Sequence, residues 1–453
     1  MLEPLIMDDT TIDPEQDRTN DLAEPLIFPR AEHPISRKNI DREALKVMYR
    51  LRDAGFTAYL VGGGVRDLFL SKTPKDFDIS TDARPGELRK LFRNSRIIGR
   101  RFRLVQVFFH GGKIIEVSTF RRRSEFDELN GESEVLASNN TFGSPAEDAF
   151  RRDLTINSLF YEIEKYTVID YTGGVADLRH RIIRFIGDPD RRLIRDPVRM
   201  LRAVRHAARS GFEIEEASWQ AIKRHGQELA LCPVSRIRDE LLKDLRAGAS
   251  RDWLGLAVAS GLLPVVLPCY EALLPESAVG KTAPEATFGL LSRLAGVSDR
   301  LHREGQQLPD HFLFALWLIP WAVDEFKIME ERRGEETNLL TRAVRQGLDG
   351  ALDRLNVKRA AKEAITILLL NLATFQRYAE KGSWPKWLRK KSYFKEGRQF
   401  FRIYQEAIGG EPVEAVNLAP PPKLRPRMRA RGKGSKLPAF ASGKGGVFGL
   451  KKK

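Results

Sequence analysis

"VGGGVRDLFLSKTPKDFDIS", residues 61–80, places three unusual features side by side. Glycines 62–64 close the strand-like "AYLV" of residues 58–61, an Arg-Asp pair follows at 66–67, and Asp76 and Asp78 flank a phenylalanine. A strand that runs through glycines into a helix lets backbone N–H groups approach an anion without a Cβ in the way. Two carboxylates two apart on a strand share one face, and their mutual repulsion favours a cation between them. Hard oxygen donors suit Mg²⁺, which also accepts phosphate oxygens as ligands. Each feature has a plainer reading, as a common strand–helix turn or a solvated Asp-x-Asp on an edge strand. Their conjunction, with Arg66 in the first helical turn and able to reach the same phosphates, points to a triphosphate site.

Strand and helix signals alternate around this stretch, from about residue 36 to 186. "DFDIST" reads as a second strand and "PGELRKLFR" (85–93) as a helix begun by proline. "RLVQVFFHGGKIIEVSTF" reads as two strands around "HGG", with Val105, Val107, Ile115 and Val117 at period two. Residues 121–146 are polar and rich in Ser, Asn and Gly, a flexible-loop composition. "TVIDY" and "RIIRFIG" read as later short strands, so the pattern is α/β or α+β. From about 187 to 408 the periodicity is helical. "DPVRMLRAVRHAARSGF" puts Val198, Leu201, Val204 and Ala208 on one face, and "SRIRDELLKDLRAG" has a serine cap and a glycine stop. Further helices are expected near 251–260, 286–296, 310–330, 336–355 and 358–376.

Two more places carry chemistry. A third acid would complete a metal cluster. Glu116, on the strand "KIIEVSTF", can pair across a sheet with Asp76 and Asp78; Asp153, in "RRDLTINSLFY", follows Arg151 and Arg152, which suit phosphate or base contacts. Glu116 is the geometric choice. In "RDPVRMLRAVR" (195–205), Pro197 belongs to a first helical turn, Asp196 lies near the cap, and Arg199, Arg202 and Arg205 recur every three residues. Asp196 and Arg199 together offer an acceptor and a donor to a base edge, adenine or cytosine alike. A salt-bridged helix surface is the commoner meaning of such a stripe.

Of 453 residues, 76 are Lys or Arg and 61 Asp or Glu, a net charge of +15. Residues 1–29 hold eight acids against one arginine, whereas residues 423–453 hold eleven basic residues and no acid. The excess suggests a polyanionic partner, nucleic acid before membrane. The acidic start lacks the form of a signal peptide, and "FLFALWLIPWAV" (312–323) is too short for a bilayer span and reads as a buried helix. Cys232 and Cys269 have no paired spacing and fit a reducing compartment. A soluble, cytoplasmic protein is expected.

"LVGGGVRD", "DFDI", "EVSTFR", "EDAFRRDLTINSL" and "RDPVRMLRAVRHAARSGF" occur in the order that resembles class II nucleotidyltransferases, the superfamily of bacterial poly(A) polymerases and CCA-adding tRNA enzymes. "IIGRRFRLVQV" (97–107), Arg195 ahead of Asp196, and the basic tail resemble the poly(A) polymerase branch; His206 departs from the phenylalanine common there. The resemblance implies an α+β chain: a disordered acidic arm (1–35), a mixed-sheet nucleotidyltransferase head (36–186), an all-α neck (187–250) that binds nucleotide and RNA, a helical body (251–408) that holds RNA with the tail, and that basic disordered tail (409–453). It implies template-independent addition of AMP from ATP to single-stranded RNA 3′ ends, with CCA or A addition to tRNA as the alternative. Asp76 and Asp78 would bind two Mg²⁺ ions, with Glu116 and Asp153 as further catalytic acids. Gly62, Gly63 and Arg66 would contact the triphosphate, and Arg152, Asp196, Arg199 and Arg202 the nucleotide.

Overall fold

The computed structural model describes residues 24–99, 103–122, 142–273, 282–332 and 334–414. Eight strands make one mixed sheet: β1 (Leu26–Phe28), β2 (Ala58–Val61), β3 (Asp78–Thr81), β4 (Ser95–Ile98), β5 (Leu104–Phe108), β6 (Ile114–Thr119), β7 (Phe160–Glu162) and β8 (Thr167–Asp170). Their spatial order is β1-β8-β7-β2-β3-β6-β5-β4. β3 and β6 are parallel and the other neighbours antiparallel.

Strand alternation sends neighbouring residues to opposite faces. Leu60, Ile79, Val105 and Val117 join the main core, and the helix Arg42–Asp53 packs on that side through Ala44, Val47, Met48 and Leu51. Asp41 caps this helix by accepting from the Glu43 and Ala44 amides; loss of such a cap costs about 1 kcal/mol. Val61 turns the other way into a smaller aromatic cluster with Phe120, Phe160 and Ile169. The strand β2 is therefore clamped on both faces just before the glycines.

The second half is helical. Arg199–Ser210 buries Met200, Leu201, Ala203, Val204, Ala207 and Ala208, ends at Gly211 in the left-handed region, and packs on Ser250–Ala259. The apolar run lies in Asp310–Phe326, where every residue from Phe312 to Ala322 is buried, Pro320 included, and Trp317 meets Trp253 edge-on at 5.6 Å. Among the described residues no helix is long and apolar enough to cross a membrane.

Several expectations change. The irregular arm ends earlier than residue 35: Leu26–Phe28 pair with Val168–Asp170 at the sheet edge, and Ile35 is fully buried. Backbone pairing and the Arg179 guanidinium over the Phe28 ring hold this segment, and neither shows in an acidic composition. Residues 1–23 of the arm and 415–453 of the tail lie outside the described residues, as do 123–141 of the expected loop. That loop is shorter at its far end, because Ser144 and Glu147 form a reciprocal cap that opens a helix at Pro145. Pro197 sits in a turn ahead of the helix Arg199–Ser210, and Asp196 closes the preceding helix Pro189–Arg195. The helix Val234–Leu245 starts after Pro233, so Ser235 is inside it and caps nothing.

Candidate active site

The glycine turn and the carboxylates meet because β2 and β3 are antiparallel and Val61 pairs with Asp78. Gly62 then leaves the sheet at φ 71°, ψ −137°, a conformation that only glycine takes without strain, and begins the helix Gly63–Phe69. A Cβ on Gly62 would stand 3.2 Å from an Arg152 guanidinium nitrogen, and one on Gly64 would stand 3.3 Å from the Asp76 carbonyl oxygen. Asp76 lies outside β3, which starts at Asp78. Beyond Val61 the neighbouring chain has turned away, so Asp76 has no ladder partner and the two carboxylates do not sit on one strand.

Glu116 occupies the register position beside Asp78 on the parallel strand β6. Its carboxylate accepts from Gln106 Nε2 at 2.9 Å across the β5–β6 ladder. Burial and the neighbouring Glu116 charge raise the Asp78 pKa to about 6, with Asp76 adding to the rise and Arg152 opposing it. Asp78 is nonetheless open to solvent on one side. Neither Asp76 nor Asp78 has a side-chain hydrogen bond or ion pair among the described residues. Repelling carboxylates left without partners fit a hard divalent cation. Among the described residues no three His, Cys, Asp or Glu side chains stand together as a metal site, so the expected three-acid cluster of Asp76, Asp78 and Glu116 is not assembled and the candidate ligands are the Asp76–Asp78 pair.

Asp153 belongs to a different cluster. It accepts from the Leu154 amide at 2.8 Å and pairs with Arg202 at 3.4 Å. Burial would raise its pKa, yet Arg202, with Arg199 and the Leu154 amide, holds it below the ordinary carboxylate range. Glu116, not Asp153, is the acid the fold sets beside Asp78.

Arg152 leans over Phe160 at 5.5 Å, donates to Asp148 at 2.9 Å and to the Asn157 carbonyl at 3.3 Å, and keeps a buried Nε without a hydrogen-bond partner. Arg66 lies under the turn rather than extended from it. It is 8% exposed, forks onto Asp67 at 2.8 and 2.9 Å, and donates to Asn157 Oδ1 at 2.6 Å. His206 reaches the same network, 3.3 Å from both Arg66 and Asn157. Burial and the Arg66 charge push its pKa down to about 3, so it is neutral.

The arginine stripe divides. Arg202 bridges Asp153 and Glu240, and Arg205 binds Glu240 at 2.7 Å and Asp244 at 2.6 Å, a salt-bridged helix surface. Arg199 differs: among the described residues its buried Nε and Nη1 have no hydrogen-bond partner, and Nε makes a long ion pair with Asp196 at 3.7 Å. Asp196 is held by Arg236, whose Nη2 donates to both carboxylate oxygens at 2.9 and 3.1 Å. Asp148, Asn157 and Arg236 were not singled out from sequence. The Asp148–Arg152 spacing of four within one helix was a visible signal; the other two act over long sequence distances and leave none.

Poly(A) polymerase I of Haemophilus influenzae is 34% identical over 396 residues, spanning 86% of this chain and 86% of that protein. The chain belongs to the poly(A) polymerase family. The family's head-domain model, "Poly A polymerase head domain", matches residues 58–184, and "Probable RNA and SrmB-binding site of polymerase A" matches residues 211–274. Poly(A) polymerase I of Escherichia coli O157:H7 is 43% identical over 311 residues, 67% of this chain, and the match spans 66% of that protein's length. A CCA-adding enzyme of Lactobacillus helveticus is 41% identical over 201 residues, 44% of this chain and 49% of that protein. Among solved structures, the Bacillus stearothermophilus CCA-adding enzyme in complex with CTP aligns with TM-score 0.59 at 26% identity, covering 82% of this chain and 78% of that one. The family thus shares its fold with CCA-adding enzymes.

Proposed function

We propose that this chain is a template-independent polynucleotide adenylyltransferase that moves AMP from ATP to the 3′ end of RNA in the cytoplasm. The observation that carries this reading is the unpartnered Asp76–Asp78 pair, crowded by Glu116 and set against the Gly62 turn. In the reaction the RNA 3′-oxygen forms a bond to the α-phosphorus, the α-phosphorus–oxygen bond to the β-phosphate breaks, pyrophosphate leaves, and the hydroxyl proton passes to solvent. Asp76 and Asp78 would hold Mg²⁺, two ions in the full reading, which supplies Lewis-acid charge at the phosphates and makes the hydroxyl more acidic.

The chain's own groups position the rest. The Gly62–Gly63 backbone lets the triphosphate come close, and Arg152, with its free buried Nε, compensates phosphate charge. Arg66 shapes the turn from beneath and keeps its remaining N–H toward Gly63. Phosphoryl transfer depends on such positioning and charge compensation more than on covalent help. The unbonded N–H groups of Arg199 and the fixed Asp196 carboxylate would read the base edge. Asp153 holds Arg202 and so stiffens the junction next to that edge.

Addition of adenosine alone is favoured over CCA addition because the poly(A) polymerase relative matches along most of the chain, whereas the CCA-adding relative matches less than half. Purified protein given labelled ATP or CTP, with either generic RNA or tRNA lacking its CCA end, tests this. Long adenosine ladders on generic RNA support the proposal. Addition of C, C and A that stops on tRNA would replace it with the alternative.

A further inference from the structure

Residues 381–398, "KGSWPKWLRKKSYFKEGR", hold seven basic residues and one acid. The acid, Glu396, is taken by His311 at 2.7 Å. Lys386, Arg389, Lys390, Lys391 and Lys395 are exposed, and among the described residues none of the seven forms an ion pair. Elsewhere in this chain surface arginines are routinely neutralised: Arg224 by Asp190, Arg345 by Glu363, Arg300 by Glu304. An uncompensated stretch of this density is unfavourable by self-repulsion unless it meets a polyanion.

Aromatic rings are set among these charges. Trp387 is 49% exposed, and its ring meets Tyr378 at 6.1 Å and 74°, while the Arg377 guanidinium lies 4.7 Å over the Tyr378 ring. Lys381 lies 5.8 Å from the Tyr378 ring centre, and Arg398 lies 6.0 Å from that of Trp384. Trp384 is braced from behind by Phe375 and Phe394. Leu388 is buried, and the Phe375–Phe401 stack ties the helix Leu372–Glu380, which carries Tyr378, to the helix Phe394–Ala407. This is an aromatic platform with a cationic rim.

We infer that the Tyr378–Trp387 platform and the Lys386–Lys395 rim form a docking surface for single-stranded RNA upstream of the reacting end, separate from the 211–274 segment. It rests on the reading that RNA is the acceptor. Single strands are held by cations that track the phosphates and by rings on which bases stack. A membrane is a poorer fit, since among the described residues Trp387 is the one exposed large apolar side chain between residues 368 and 407.

The test uses the full chain and an oligo(A) of about twenty nucleotides ending in 3′-deoxyadenosine, with anisotropy read at several salt concentrations. The double variant K390E/K391E lowers affinity roughly tenfold and makes the salt slope shallower by about 0.7 per lost phosphate contact. W387A lowers affinity about fivefold or more with the slope unchanged, and W387F restores it. AMP addition to a primer of about four nucleotides, too short to span from the head, is unchanged in all three. Wild-type affinity and slope in both K390E/K391E and W387A overturn the inference, as does a loss confined to anionic vesicles or polyglutamate. If the wild-type chain extends no RNA at all, the proposed function fails, while the oligo(A) titrations still decide this surface.

Discussion

Glu116 stands beside Asp78 in register across the parallel β3–β6 ladder, and among the described residues neither carboxylate is paired with an arginine or lysine in direct contact. The folded Asp78 carboxyl therefore binds its proton more tightly than in the unfolded chain. The resulting penalty is absent below the unfolded pKa, near 4, grows as pH rises, and is complete above about 6. Asp78→Asn should thus raise Tm at pH 7.5 in EDTA, and raise it less at pH 4. Thermal melts at both pH values check this. Removing a raising charge by Glu116→Gln should shift the same pH dependence to lower pH.

Asp196 is fixed by Arg236 from a helix 40 residues further along the chain. Arg236→Ala leaves the carboxylate free to turn toward Arg199, which then loses its unbonded N–H groups. The KM for ATP should rise severalfold and discrimination against CTP should fall, with Tm nearly unchanged because Arg236 is half exposed. Steady-state kinetics with both nucleotides provide the check.

His206 is kept neutral by burial and by Arg66. A histidine whose folded pKa is depressed gives stability that is present above about 6.5 and lost as pH falls toward 3. His206→Phe removes this contribution. The drop in Tm between pH 7.5 and 5.5 should be smaller in the variant than in the wild type.

Gly62 and Gly86 make a paired test of backbone constraint. Gly62→Ala meets an unfavourable φ and presses on Arg152, so a loss of about 1–3 kcal/mol is expected, together with loss of nucleotide transfer. Gly86 lies within a helix with nothing near its missing Cβ, so Gly86→Ala should stabilise by about 0.5–1 kcal/mol. Denaturant unfolding of both variants measures the contrast.

Much of the site was legible because it rests on local rules. Period-two alternation placed Val105 and Val117 in the core, and the glycine turn announced where β2 ends. The pairing of Glu116 with Asp78 followed from strand geometry as well, whereas the expected pairing with Asp76 is missing because Asp76 precedes the ladder. What sequence could not give are contacts that depend on long-range packing. Whether Arg66 extends toward phosphate or folds back on Asp67 and Asn157 is set by a segment 91 residues away. Arg202 and Arg205 look like ligand-binding groups until Glu240 and Asp244 arrive from another helix. The strand Leu26–Phe28 was hidden because edge pairing uses backbone groups that composition does not report.

The central claim is that Asp76 and Asp78 hold the metal for nucleotide transfer and do not support the fold. The most direct measurement is incorporation of labelled AMP into generic RNA by Asp78→Ala across a Mg²⁺ titration, with a thermal melt of the same sample. With the metal ligand removed, activity should fall below roughly a hundredth of wild type at every Mg²⁺ concentration, with Tm unchanged or higher. A variant that keeps more than about a tenth of wild-type activity, or that loses activity only because it unfolds, would contradict it.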